Sequence, residues 1–399
     1  MNKIAVNQLA LSSILARFAA IPQWGGDALD FVQLRAQGGG LDVSMIETGV
    51  ERKMIVRPFF AVSVSIPAPN HEPDAGLALE VEVEAIAELL KTEDAGGDVA
   101  TLEISKLDGV SLQIDQRRPG PLGGFQATIP YYLPRCPAVA EPAWDPILAM
   151  NAERFVERLA LTLPAAAYET GEAPELAFVT LKGADQEMFF AATDKHRLHI
   201  AGIDGGFKKV EPIQIPAQIA RELPELLAGS KMVELSVNRE ARLLKIYTLF
   251  NDMFPFSIIV GISTENVPDY DALLEIDVPI ILTVNGPAFA EALRRARAVS
   301  DHVQLTVRPP GIDLLAGEPG LEEATLLQRV AYSVDRKPAL DAGLRFSMHI
   351  DAEYVLDALG AAQGALSLCF ADCGENPINV EAVRVMSRDL LAIVMPRRP

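Results

Sequence analysis

An apolar residue, an asparagine and an amphipathic helix recur three times along this chain, at Val6-Asn7, Met150-Asn151 and Val284-Asn285. Successive asparagines are separated by close to one third of the 399 residues. In the first helix Leu11, Ile14, Leu15 and Phe18 fall at i, i+3, i+4 and i+7, one apolar stripe. In the second, Phe155, Leu159 and Leu163 face inward, with Glu153, Arg154, Glu157 and Arg158 outward. Each third also carries a second strand-then-helix module, around Val83, Ile215 and Ile350. Repeats of roughly 20–50 residues build solenoids; a unit this long is a globular domain. The simplest reading is α+β, with three similar domains of two helices and many strands each. The expected boundaries are 1–138, 145–272 and 277–399, with a Pro/Ala-rich linker over Pro134 to Pro146. Three like domains in a row suggest a ring or arc, whose closure depends on the angle between neighbours.

Charge limits the partners. There are 54 acidic and 35 basic residues, a formal charge of -19. Such a chain repels DNA and anionic membranes on average, which argues against a simple basic-patch DNA binder. Cys136, Cys369 and Cys373 are too few for a disulfide framework and suit a reducing cytoplasm. No C-x-x-C occurs, and neither a metal nor a cofactor is expected. The Ala/Leu-rich start after Lys3 is broken by Asn7, Gln8, Ser12, Ser13 and Arg17, so it reads as an amphipathic helix rather than a signal peptide. The apolar run Val278 to Val284 is far too short to span a membrane.

Polar residues concentrate in Ala191 to Ile200, which reads AATDKHRLHI after Phe189 and Phe190. It is a buried strand ending in Thr193, Asp194, Lys195, His196 and Arg197. An acid beside a histidine invites a catalytic reading at Asp194 and His196, but no nucleophile lies nearby in sequence. The G-x-x-x-x-G-K-[ST], H-E-x-x-H, G-x-S-x-G and G-x-G-x-x-G motifs do not occur. His196 and His199 are three apart on a strand end, where exposure explains them as well as metal ligation does.

The ATD-x-HRL segment resembles the second domain of the bacterial DNA polymerase III beta subunit, the sliding-clamp family. Further matches follow in order. Ile215-Pro216-Ala217 through Glu222-Leu223 resembles the family's IPAKAL-type helix, and Val267-Pro268-Asp269-Tyr270 its FPDY turn. Phe289-Ala290-Glu291-Ala292-Leu293 with Val299-Ser300 is similar to the helix opening its third domain. Tyr354 to Leu359 resembles its YLLDAL helix, and Ile393-Val394-Met395-Pro396-Arg397 its C-terminal VVMPMR.

The resemblance implies the DNA-clamp fold and a non-catalytic processivity subunit. It would encircle double-stranded DNA without regard to sequence as a cytoplasmic head-to-tail homodimer ring. It also implies a pocket for short linear motifs of polymerase and clamp-loader subunits, between the second and third domains. The implied walls are Leu176, Thr193, Lys195, His196, Arg197, Leu198, Pro268, Ala272, Leu273, Asn376, Pro377, Ile393, Val394, Met395 and Pro396. Ala298 and Val299 would meet Phe125 and Ala127 at the joint between copies. Arg17, Arg154, Arg158, Arg294, Arg295 and Arg297, on the domain-opening helices, are candidates to face DNA phosphates, or else form ordinary solvated helix faces. Three positions depart from the family pattern. Lys195 stands where the family has Gly, Ala272 where it usually has a basic residue, and Asp27 follows Gly25-Gly26 where a basic residue often touches DNA. A clamp paralogue that binds partners without supporting replication, and an enzyme at Asp194 and His196, are the alternatives.

Overall fold

In the computed structural model of the chain, the described residues are 3–19, 31–37, 40–47, 51–52, 55–56, 60–67, 78–90, 101–106, 111–117, 126–130, 143–167, 173–184, 187–203, 210–250, 254–263, 267–270, 274, 280–308, 311–317, 325–336, 346–360, 364–370, 383–387 and 389–396. The chain opens with β1 (Lys3–Asn7), α1 (Gln8–Ala19), β2 (Phe31–Gln37), β3 (Gly40–Glu47), the short β4 (Glu51–Arg52) and β5 (Ile55–Val56), and β6 (Phe60–Pro67). It continues through β7 (Ala78–Glu82), α2 (Val83–Leu90), β8 (Thr101–Lys106), β9 (Ser111–Arg117) and β10 (Gln126–Pro130). The middle holds β11 (Asp145–Asn151), α3 (Ala152–Thr162), β12 (Phe178–Ala184), β13 (Glu187–Thr193), β14 (Arg197–Ile203), β15 (Val210–Pro216), α4 (Ala217–Leu226), β16 (Met232–Asn238), β17 (Leu243–Phe250) and β18 (Phe254–Gly261). The last part holds β19 (Ile280–Asn285), α5 (Gly286–Arg297), β20 (His302–Arg308), β21 (Gly311–Ala316), β22 (Leu326–Arg336), β23 (Phe346–Asp351), α6 (Ala352–Leu359), β24 (Ala365–Phe370), β25 (Val383–Met386) and β26 (Leu391–Val394).

The three asparagines of the repeat do the same job. Each ends a strand, and its Oδ1 accepts the backbone N–H three residues on: Ala10 on Asn7 at 3.0 Å, Arg154 on Asn151 at 3.0 Å and Ala288 on Asn285 at 2.9 Å. A capped N–H is one fewer orphan donor, typically worth about 1 kcal/mol. The stripe Leu11, Ile14, Leu15 and Phe18 is fully buried, as are Phe155 and Leu159; each such side chain contributes about 1.5–3 kcal/mol. Leu163 is a correction to the expected stripe. Pro164 has no N–H to continue the helix, so α3 stops at Thr162, and Leu163 is half-buried in the 3-10 turn Leu163–Ala165.

Strand pairing follows one scheme three times. The runs β1-β8-β9-β10, β11-β16-β17-β18 and β19-β24-β25-β26 correspond, as do β7-β2-β3-β6, β15-β12-β13-β14 and β23-β20-β21-β22. By contacts the chain groups into two compact units. One comprises residues 1–156 and 222–263, the other 157–221 and 264–399. The reason is edge pairing. β18 joins β6 in the eight-stranded sheet of the first unit, and β14 joins β26 in the twelve-stranded sheet of the second. The middle third is thereby shared out between its neighbours.

In the second unit α5 and α6 cover one sheet face, and their Phe289, Leu293 and Val355 pack with Leu282, Ile312, Leu314, Leu368 and Phe370 in a large core. On the other face of β20–β22, Asp313 is held by Arg308 at 2.5 Å and by Arg329 at 2.5 and 3.0 Å. Hydrogen bonds from Arg329 outweigh burial and hold the Asp313 carboxyl below its ordinary range. Gly311 makes room for this arrangement, since a β-carbon there would meet Arg329 Cγ at 2.7 Å. No helix among the described residues is long and apolar enough to cross a membrane.

Candidate functional site

The Thr193–Arg197 segment is a tight turn between β13 and β14, fixed by its own side chains. Asp194 Oδ1 accepts the N–H of His196 at 3.0 Å and of Arg197 at 2.9 Å. Thr193 Oγ1 accepts from Lys195 N at 3.3 Å and donates to the Arg197 carbonyl at 2.7 Å. Lys195 is forced into the left-handed region, φ 76°. For a residue with a β-carbon that conformation costs about 1–2 kcal/mol. The Asp194 carboxylate thus serves the turn backbone and the Arg197 guanidinium, at 2.9 Å from Nε, rather than the His196 ring. That is the arrangement of a structural acid, not of a catalytic pair.

The C-terminal tail docks against this turn. Arg197 and Leu198 pair with Val394 and Ile393 across β14 and β26, and Met395 N–H donates to the His196 carbonyl at 2.8 Å. On the sheet face away from the helices, Ala191, Leu198, Tyr270 and Ile393 form a small buried cluster, flanked by Phe189, Ile200, Val267 and Leu391. The Tyr270 hydroxyl is 3.0 Å from Thr180 Oγ1, and burial raises its pKa above the ordinary tyrosine value. Val267 also belongs to an open depression of about 430 Å³, lined with Glu175, Leu176 and Pro268. An apolar cluster whose rim carries a few fixed polar groups suits an extended peptide with apolar anchors better than a reacting small molecule.

On the helix side of the same sheet, Arg197 is the centre. It is ion-paired with both Asp194 and Asp357, and its guanidinium lies 4.3 Å from the Tyr354 ring centroid. The His196 ring stacks on Tyr354 at 6.3 Å. His199, two residues along, is fully buried; its Nδ1 contacts the Leu161 carbonyl at 2.8 Å, and among the described residues its Nε2 has no hydrogen-bond partner. Burial holds the His199 pKa below the ordinary value, and Arg197 adds to this; the Leu161 carbonyl, Asp357 and Asp194 oppose it. A histidine whose folded pKa is depressed stabilises the fold fully above its unfolded value of about 6.5, and that contribution fades as pH falls below it. Melting temperature should therefore decline from pH 7 toward pH 5.5 with a component that His199→Gln lacks. Parallel melting curves with equal slopes for both proteins would contradict this.

Of the residues expected in the pocket, Leu176, Pro268, Thr193, Leu198 and Ile393 lie in or beside the depression and its cluster. Lys195, His196 and half-exposed Met395 stand at the turn and tail, with Pro396 half-buried after Met395. Val394 differs from the expectation. Strand alternation turns it to the opposite face, into the large core. Arg197 likewise points to the helix side. Ala272, Leu273, Asn376 and Pro377 lie outside the described residues, as do Asp27 and Phe125. The sequence reading did not single out Glu175, Val267, Tyr270, Tyr354 or Asp357 as site residues. The i, i+3 spacing of Tyr354 and Asp357 on one helix was the available signal.

The arginines divide. Arg17 donates to the carbonyls of Leu226 at 2.9 Å and Ala228 at 2.5 Å. Arg158 is buried against Asp389 at 2.6 Å. Arg154 is exposed on α3. Arg294 and Arg295 are about 60% exposed, at 3.4 and 3.0 Å from Glu291, and Arg297 lies 3.7 Å from Asp301 and 3.1 Å from Glu353. Ala298 is the exposed cap of α5, Val299 is half-buried against the core, and Ala127 is half-buried on β10.

No protein-family model matches the chain, and no curated protein matches it. Solved structures do. A DNA polymerase sliding clamp from Pseudomonas aeruginosa, with ligand, superposes at a TM-score of 0.79 with 17% identity, covering 100% of both chains. A DNA polymerase III subunit beta from the same organism gives 0.78 with 18% identity, again over 100% of both. At these identities the likeness is one of fold. The chain has the fold of the bacterial sliding clamps along its whole length, as the sequence resemblance implied.

Proposed function

We propose that the chain is a DNA sliding clamp. Two copies, head to tail, close a ring around double-stranded DNA and tether a replicative polymerase, which with clamp-loader subunits docks short linear motifs at the Tyr270 cluster. Each copy contributes three alike domains, 1–138, 145–272 and 277–399, and works in the cytoplasm without catalysis of its own. The observation that carries this reading is the fold correspondence over 100% of the chain with proteins described as a DNA polymerase sliding clamp and a DNA polymerase III subunit beta. The thrice-repeated strand order supports the domain reading.

Two strand edges suit the joint between copies. Among the described residues β10 pairs only with β9, and the Leu326–Ala331 part of β22 only with β21. An unpaired edge is a template for another chain, and Ala127 lies on the first of these edges, with Ala298 and Val299 at the end of α5 completing the proposed joint. Asn376, Pro377, Ala272 and Leu273 are proposed to complete the peptide site.

For DNA, Arg154, Arg294, Arg295 and Arg297 are the better candidates by exposure, because Arg17 is half-buried and Arg158 is buried. Nearby acids dilute even the exposed arginines. With a charge of -19 the ring should hold DNA by topology, with weak, salt-sensitive contacts. Retention on closed circular DNA, and its loss on linearisation, tests the proposal. A paralogue that binds partners without serving replication would differ in giving a cognate polymerase no processivity.

A further inference from the structure

We propose that Lys195 selects the partner peptide by charge, favouring a carboxylate side chain beside the apolar anchors; this rests on the peptide-site reading above. Lys195 and Arg242 are the only non-glycine residues at positive φ among the described residues. Strain of this kind persists where the surroundings over-determine it. Here four hydrogen bonds of Thr193 and Asp194 do so, and the tail bond to His196 pins the turn from outside. The backbone would be better served by glycine, yet the turn presents a long cation.

Charge around the turn is otherwise settled. Arg197 has two carboxylates, Asp194 and Asp357. His196 is stacked on Tyr354. Lys195 is exposed, and among the described residues no carboxylate pairs with it. It is a standing positive charge on an acidic molecule, next to Thr193, whose strand partner Leu198 belongs to the apolar cluster. Glu175, in the depression itself, repels a carboxylate there. A peptide is therefore read for where its acid sits as well as for its anchors.

An exposed lysine–carboxylate pair is modest and screened by salt. The test is a titration of the full-length protein with peptides carrying Leu/Phe anchors and a single Asp moved through the flanking positions, each against its Asn counterpart. At low salt the wild type should prefer one Asp position by about two- to five-fold. Lys195→Asn, a neutral residue that tolerates this backbone, should abolish the preference, and Lys195→Glu should reverse it. Lys195→Gly should abolish it while raising the melting temperature, so that stability and selectivity move in opposite directions. A preference unchanged in Lys195→Asn and Lys195→Gly would overturn the proposal, whatever the melting temperatures. Failure of the wild type to bind any of the peptides would overturn the peptide-site reading, and this proposal with it.

Discussion

Loss of the tail from Met395 onward should weaken binding of an anchor peptide by about 30- to 1,000-fold, roughly 2–4 kcal/mol. Met395 presents exposed apolar surface at the turn, and its N–H is the tail's bond to the His196 carbonyl. At the proposed peptide site, removing both would leave the peptide's anchors partly in water and free the turn that carries Lys195. Truncation has a side effect. It creates a terminal carboxylate on Val394, which is fully buried in the large core. The double substitution Met395→Ala with Pro396→Ala keeps chain length and avoids that charge. It should weaken binding about 10- to 30-fold, with melting temperature and oligomeric state unchanged. Equal affinities for the substituted and wild-type proteins would place the site elsewhere.

Arg197→Ala should cost the fold about 3 kcal/mol, at the low end for breaking a buried ion pair because Asp357 is a third exposed. The arginine side chain is 10% exposed and Asp194 16%, so truncation strands a carboxylate and uncovers the Tyr354 face. Arg197→Lys should recover little, because one ammonium cannot pair with two carboxylates and stack on a ring in the same geometry. Urea denaturation followed by tryptophan-independent far-UV signal measures it. A midpoint shift equivalent to less than 1 kcal/mol for Arg197→Ala would show that Arg197 is not the centre of this seam.

Local chemistry made much of this molecule readable. Asn7, Asn151 and Asn285 announce their helices because a side-chain oxygen three residues before an N–H is a short-range device. The stripe from Leu11 to Phe18 is readable for the same reason. The turn at Thr193 to Arg197 stood out by composition, though its acid proved to be a turn partner for its own backbone. What escaped was long-range. Arg197 meets Asp357 160 residues away, and Arg158 meets Asp389 231 residues away. Nothing local distinguishes Arg158, which is buried, from exposed Arg154 one turn earlier. Tyr270 was legible as part of a V-P-D-Y turn, but its burial over Ala191 and Leu198 depends on packing that no spacing encodes. The two-unit grouping was hidden too, since the β18–β6 and β14–β26 pairs are backbone hydrogen bonds between edges, which carry no residue signature.

The central claim is that the protein holds DNA by enclosing it. The most direct measurement loads it onto nicked circular DNA with a cognate clamp loader, isolates the complexes by gel filtration at physiological salt, and cuts half of them once. The account predicts co-elution of protein with uncut circles and its loss from linear DNA within minutes, restored when the ends are blocked. Equal retention on cut and uncut DNA would contradict it, because a protein that grips the duplex does not notice the ends.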